Sequence, residues 1–66
     1  MAENLKLKSQ RILSGFTQET LAKAVGVSRQ TIVSIEKGNY NPSLNLCKTI
    51  CKELNKTLDE LFGEEQ

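Results

Sequence analysis

The chain has 66 residues, 38% hydrophobic and 26% charged, with one proline and no tryptophan; that supports one small domain over residues 1–66, which buries only about 60% of its unfolded surface and gains from pairing with a second copy. No apolar run approaches the roughly 18 residues of a membrane span, and Met1 to Gln10 is too polar for the apolar middle of an export signal, so a cytoplasmic protein with no membrane partner is expected. The net charge of +1 hides an asymmetry: seven Lys and Arg against three Glu through residue 50 give +4, and two Lys against five acids from residue 51 give −3, leaving a basic body free to meet phosphates.

Glycine, proline and capping residues divide the chain into five short helices with no strand alternation, which predicts an all-α fold. The first helix is expected from about Asn4 to Leu13, with Asn4 as its candidate cap, Leu5, Leu7, Ile12 and Leu13 as its apolar contribution and Ser14-Gly15 ending it. Thr17 caps the second helix through its hydroxyl, and Glu19 suits the positive end of the dipole. Leu21, Ala22 and Val25 line one side of it, and Gly26 stops it in a left-handed turn. Ser28 caps the third helix, which runs to about Lys37 with Ile32 and Ile35 inward and Gly38 at its end. After the loop Asn39-Tyr40-Asn41-Pro42, Ser43 caps a fourth helix through about Leu54, on which Leu44, Cys47, Ile50, Cys51 and Leu54 follow helical spacing. Thr57 and Glu60 form a capping box for a short fifth helix that buries Leu61 and Phe62, and Gly63 to Gln66 is expected to fray.

Cys47 and Cys51 stand four apart on one predicted helix, and the chain has no histidine to complete a zinc set, so no metal or other cofactor is expected. Side chains at i and i+4 on a helix do not readily meet disulfide geometry. Both cysteines are therefore read as core thiols that pack like small hydrophobes.

The stretch from Gln18 to Ile35 carries the functional signal. Two short helices joined by a tight turn cross steeply only if the residue under the crossing is small and its neighbours are apolar. Leu21, Val25, Val27, Ile32 and Ile35 supply the apolar contacts, Ala22 is the small residue, and Gly26 makes the turn, as a helix-turn-helix requires. Anchoring Ile32 and Ile35 in the core turns Arg29, Gln30, Val33 and Ser34 outward. Arginine reads guanine O6 and N7, glutamine reads adenine N6 and N7, and an exposed valine suits the thymine methyl.

These residues are similar to the Cro/CI-type helix-turn-helix family of phage and bacterial repressors. The resemblance rests on Phe16-Thr17-Gln18-Glu19-x-Leu21-Ala22, Gly26-Val27-Ser28-Arg29-Gln30-Thr31-Ile32, Ile35-Glu36-Lys37-Gly38, Tyr40-Asn41-Pro42-Ser43-Leu44 and Leu58-Asp59-Glu60-Leu61-Phe62. It implies a five-helix all-α domain that binds a pseudo-palindromic double-stranded DNA operator as a homodimer. It further implies that Gln18 bonds a phosphate and braces the reading residues, that Arg29 and Gln30 read bases, and that Ser28, Thr31 and Ser34 touch backbone or bases. Lys37, Asn39, Tyr40 and Asn41 would hold phosphates, although the Tyr40 ring is equally suited to pack over the loop. Glu36 is implied to pair with Arg11 at the end of the third helix. Gln10 departs from the family pattern, which more often has a small or apolar residue there.

Enzyme chemistry has no support in a chain without histidine, without a glycine-rich phosphate loop and without paired carboxylates outside the acidic tail. The rival reading is a protein-binding module, an antitoxin or adaptor on the same fold; an apolar patch on the outward face of the third helix would mark it, whereas this chain shows Arg29, Gln30, Val33 and Ser34 there. Leu54, Leu58, Leu61 and Phe62 exceed what so small a core needs and are the expected dimer surface. No small-molecule ligand is evident, so control would come from abundance, a partner or competition for the site.

Overall fold

A computed structural model describes residues 3–63. Five helices follow one another: α1 (Leu5–Leu13), α2 (Gln18–Val25), α3 (Arg29–Lys37), α4 (Leu44–Leu54) and α5 (Leu58–Phe62), with no strand among the described residues. The expected fraying of Gly63 to Gln66 lies, beyond Gly63, outside them.

Each helix starts where a side chain satisfies an otherwise orphaned backbone amide. Asn4, Thr17, Ser28, Ser43 and Thr57 accept from the backbone N–H of Leu7, Thr20, Thr31, Leu46 and Glu60, a contribution of about 1 kcal/mol per cap. Thr57 and Glu60 form the expected reciprocal box, with Thr57 N donating to Glu60 Oε1 at 2.8 Å. A second box opens α2, where the Thr20 hydroxyl fills the role of the glutamate and accepts from Thr17 N at 2.8 Å. Helices α2, α3 and α4 end in left-handed residues: Gly26 and Gly38, both at φ 82°, and Asn55 at φ 57°. Asparagine is among the few side chains that tolerate this region.

The core gathers Leu7, Leu21, Ala22, Ile32, Ile35, Ile50, Cys51, Leu54 and Leu61, with Phe16, Val25, Val27, Leu46 and Phe62 packed around it. Helix α2 packs on α3 and α4, α1 on α5 and α3, and α4 on α5. Leu7, Leu21, Ile32, Ile50 and Leu61 are fully enclosed, each removed from water at a gain of about 2 kcal/mol.

Helix α1 departs from the sequence reading. Of its four expected contributors only Leu7 is buried, and Leu5, Ile12 and Leu13 are 58%, 57% and 77% exposed. Residues two apart on a helix stand about 200° apart, so burying Leu7 turns Leu5 outward. The inner position one turn on from Leu7 belongs instead to Arg11, 7% exposed. Leu44 is likewise 61% exposed; it sits at the rim of the α4 apolar face on the first turn, and Leu46 packs against the core there.

Candidate nucleic-acid interface

The period of α3 divides it into two faces. Ile32, Ile35 and Glu36 are sealed at 0%, 3% and 5% exposure, which turns Gln30, Val33, Ser34 and Lys37 away from the core, with Arg29 at the helix start. Arg29, Gln30 and Lys37 are exposed, and Val33 and Ser34 are half-buried. The cap at Ser28 holds the first turn: its Oγ accepts from Thr31 N at 3.2 Å and lies 3.0 Å from Thr31 Oγ1. One turn further, Gln30 Nε2 donates to Ser34 Oγ at 3.4 Å.

Gly38 then lets the chain fold back beside α3, and Asn39 N bonds Ser34 O at 2.9 Å. Ser28, Gln30, Thr31, Ser34, Asn39 and Tyr40 consequently line one open depression of about 250 Å³. Its walls present hydroxyls and amides, groups that both donate and accept, with no fixed charge. Tyr40 is 47% exposed, so its ring does not seal into the core. The other five expected site residues lie outside the depression. Arg29, Val33 and Lys37, four apart, form the adjoining ridge of α3; Gln18 begins α2, and Asn41 is exposed in the loop.

Glu36 is the single acid on α3, and a carboxylate under this face would oppose phosphate if left uncompensated. Arg11 compensates it: Arg11 Nε donates to Glu36 Oε2 at 2.6 Å and Nη2 to Oε1 at 3.3 Å. The third arm of the guanidinium, Nη1, donates to Phe16 O at 2.9 Å, and Gln18 Nε2 donates to Glu36 Oε1 at 3.1 Å. No buried side-chain nitrogen or oxygen among the described residues lacks a partner, the condition under which a buried polar network is tolerated. Pairing of Arg11 with Glu36 was implied by the family resemblance. The Gln18 bond was missed, because nothing in the sequence indicates that this amide turns back toward a carboxylate on another helix.

Cys47 and Cys51 are free thiols. Burial pushes both up from the ordinary thiol value; a backbone hydrogen bond partly opposes this at Cys47, and the neighbouring Cys47 and Glu60 add to it at Cys51. The thiolate is the metal-binding form, so this environment opposes ligation, and no group of three metal-ligating side chains occurs among the described residues.

The expected dimer surface needs correction. Leu54 and Leu61, at 4% and 0% exposure, belong to the chain's own core, because the inner face of α4 ends on Leu54 and α5 docks through Leu61. Leu58, 36% exposed, and the half-buried Phe62 are what α5 leaves outside. No described helix is long and apolar enough to cross a membrane.

Comparison with known proteins agrees with this geometry. A helix-turn-helix family model matches residues 7–61. An uncharacterised HTH-type transcriptional regulator of Methanocaldococcus jannaschii is 53% identical over 57 residues, covering 86% of each chain. The regulator YgzD of Bacillus subtilis is 44% identical over 61 residues, covering 92% of each. Among solved structures, the restriction-modification controller protein C.AhdI from Aeromonas hydrophila superposes with a TM-score of 0.82 at 32% identity, over 89% of this chain and 86% of that one. The chain belongs to the Cro/CI-type helix-turn-helix family, whose members are DNA-binding transcriptional regulators and not enzymes.

Proposed function

We propose that this regulator is a cytoplasmic repressor that inserts α3 into the major groove of a pseudo-palindromic operator as a homodimer. The observation that carries this reading is the outward side of α3, where Gln30 is exposed opposite the sealed Ile32, Ile35 and Glu36 and Arg29 is exposed at the helix start. Arg29 and Gln30 are the base readers, Val33 meets a thymine methyl, and Ser28, Thr31 and Ser34 contact bases or backbone. Lys37, Asn39, Tyr40 and Asn41 serve phosphates along the depression and its rim, and Gln18 serves one from the start of α2.

Helix length supports the homodimer. Nine residues make a helix about 13 Å long, which at ~3.4 Å per base pair meets about four of them. So short a word cannot be unique among the ~10⁶–10⁹ competing sites of a genome. Two copies related by a two-fold axis present two such helices roughly 34 Å apart, one turn of DNA. Leu58 and Phe62 are the apolar residues α5 offers to such an axis. Bound there, the pair would repress by occluding the site.

The test is selection from random duplex DNA with the parent chain, Arg29→Ala and Gln30→Ala side by side. The expected result is a two-fold-symmetric site for the parent and the loss of particular bases in each variant, at about 1–3 kcal/mol per base. Affinity should also fall steeply with salt, as counterion release from several phosphates requires. No enrichment by the parent would instead place the domain among protein-binding adaptors.

A further inference from the structure

The Glu36 carboxylate holds more than its ion-pair partner. Its Oε1 accepts from Gln18 Nε2 at 3.1 Å as well as from Arg11 Nη2 at 3.3 Å, while Oε2 accepts from Arg11 Nε at 2.6 Å. A carboxylate only accepts, so the nitrogen of the Gln18 amide must face it and the two ends of that amide are no longer interchangeable. One N–H is spent on Glu36, and the second N–H remains for an acceptor outside the protein. A phosphate oxygen also only accepts, so an amide free to flip would meet it half the time with the wrong end. Arg11 fixes the same corner from the other side, through Phe16 O at 2.9 Å, just before the Thr17 cap of α2.

We propose that Glu36 is a positioning residue for DNA binding: it orients the Gln18 amide so that its remaining N–H serves a phosphate, and Arg11 keeps the carboxylate in place and offsets its charge. This rests on the DNA-binding reading above and gives the one acid of the recognition helix a role in it. The proposal reverses the sign that simple electrostatics gives. Removing a negative charge from beneath a phosphate-facing surface should tighten binding by Coulomb's law, whereas loss of orientation weakens it.

Fluorescence anisotropy on the selected duplex and on an unrelated duplex decides between them, using the parent, Gln18→Ala, Glu36→Gln and the combination of Gln18→Ala with Glu36→Gln. Because Glu36→Gln strands Arg11 in the core and can unfold so small a domain, a chain carrying Arg11→Met with Glu36→Leu is measured as well, with and without Gln18→Ala. Replacing a buried pair with apolar residues usually preserves the fold, and circular dichroism checks that it has. Gln18→Ala should weaken binding about tenfold on both duplexes, and the folded pair replacement, which leaves the amide in place but free to flip, about twofold, with base preference unchanged in each; combining them should weaken binding no further than Gln18→Ala alone. A folded pair replacement that binds as tightly as the parent, or more tightly, overturns the proposal, as do losses that multiply in the combined chain. A parent that binds neither duplex overturns the DNA-binding reading, and the proposal with it.

Discussion

Arg11→Met tests how far the fold depends on the buried Arg11–Glu36 ion pair. Glu36 is 5% exposed and takes two of its three side-chain hydrogen bonds from Arg11, so the substitution leaves a carboxylate in the core with only an amide to hold it. Removing one partner of a buried pair costs about 3–5 kcal/mol. A domain of this size holds roughly 3–10 kcal/mol in all, so a single change removes from about a third of its stability to all of it. At about 4–8 °C per kcal/mol for so short a chain, the midpoint of thermal unfolding should fall by roughly 12–40 °C, read by far-ultraviolet circular dichroism. Arg11→Met combined with Glu36→Leu strands no charge and should unfold within about 2 kcal/mol of the parent. A melting point for Arg11→Met within a few degrees of the parent, or a double replacement less stable than the single one, would refute this reasoning.

Three further outcomes follow from local geometry. Asn55→Gly should raise stability by about 0.5–1 kcal/mol in urea unfolding, because the residue ends α4 at φ 57° and ψ 47°, where glycine carries no Cβ penalty. The buried thiols should react slowly with iodoacetamide at neutral pH until the chain is unfolded, and stability should depend on alkaline pH in a defined direction. Both thiols are raised in the fold, Cys47 and Cys51 alike, so their contribution is complete below the unfolded thiol value of about 8.5 and is lost as pH rises through the higher folded values; unfolding curves at pH 7 and pH 10 check it.

Where the sequence speaks through local chemistry, it is a good guide to this structure. The five caps are legible because a hydroxyl or amide meets an amide only three residues away. The left-handed turns at Gly26 and Gly38 are legible because glycine is the residue such turns favour. With those boundaries fixed, Ile32 and Ile35 determine which side of α3 faces out. Helix α1 is misread for the complementary reason: hydrophobic spacing assigns its interior to leucine and isoleucine, whereas the position beside Leu7 is held by Arg11, made tolerable there by Glu36 on α3. No periodicity records a partner on another helix. The same blindness hides the Gln18–Glu36 bond, and it made Leu54 and Leu61 look surplus to a core that in fact uses both.

The small net charge of +1 is compatible with a surface that meets phosphates because charge acts over limited distances. At physiological ionic strength interactions are screened beyond about 8 Å, whereas the chain measures 31 × 23 × 21 Å. A phosphate at α3 therefore responds to Arg29 and Lys37 nearby and only weakly to the acids Asp59 and Glu60 of α5, a helix that packs on α1 and α4. The acid of α3 itself is Glu36, and its charge is met by a guanidinium 2.6 Å away. What α3 presents is then the charge of its exposed residues, and the sum over the chain has little bearing on it. The acidic end can still influence the encounter: as salt is lowered and the screening length grows toward the size of the molecule, attraction to the basic face and repulsion from α5 together favour arrival with α3 toward the groove.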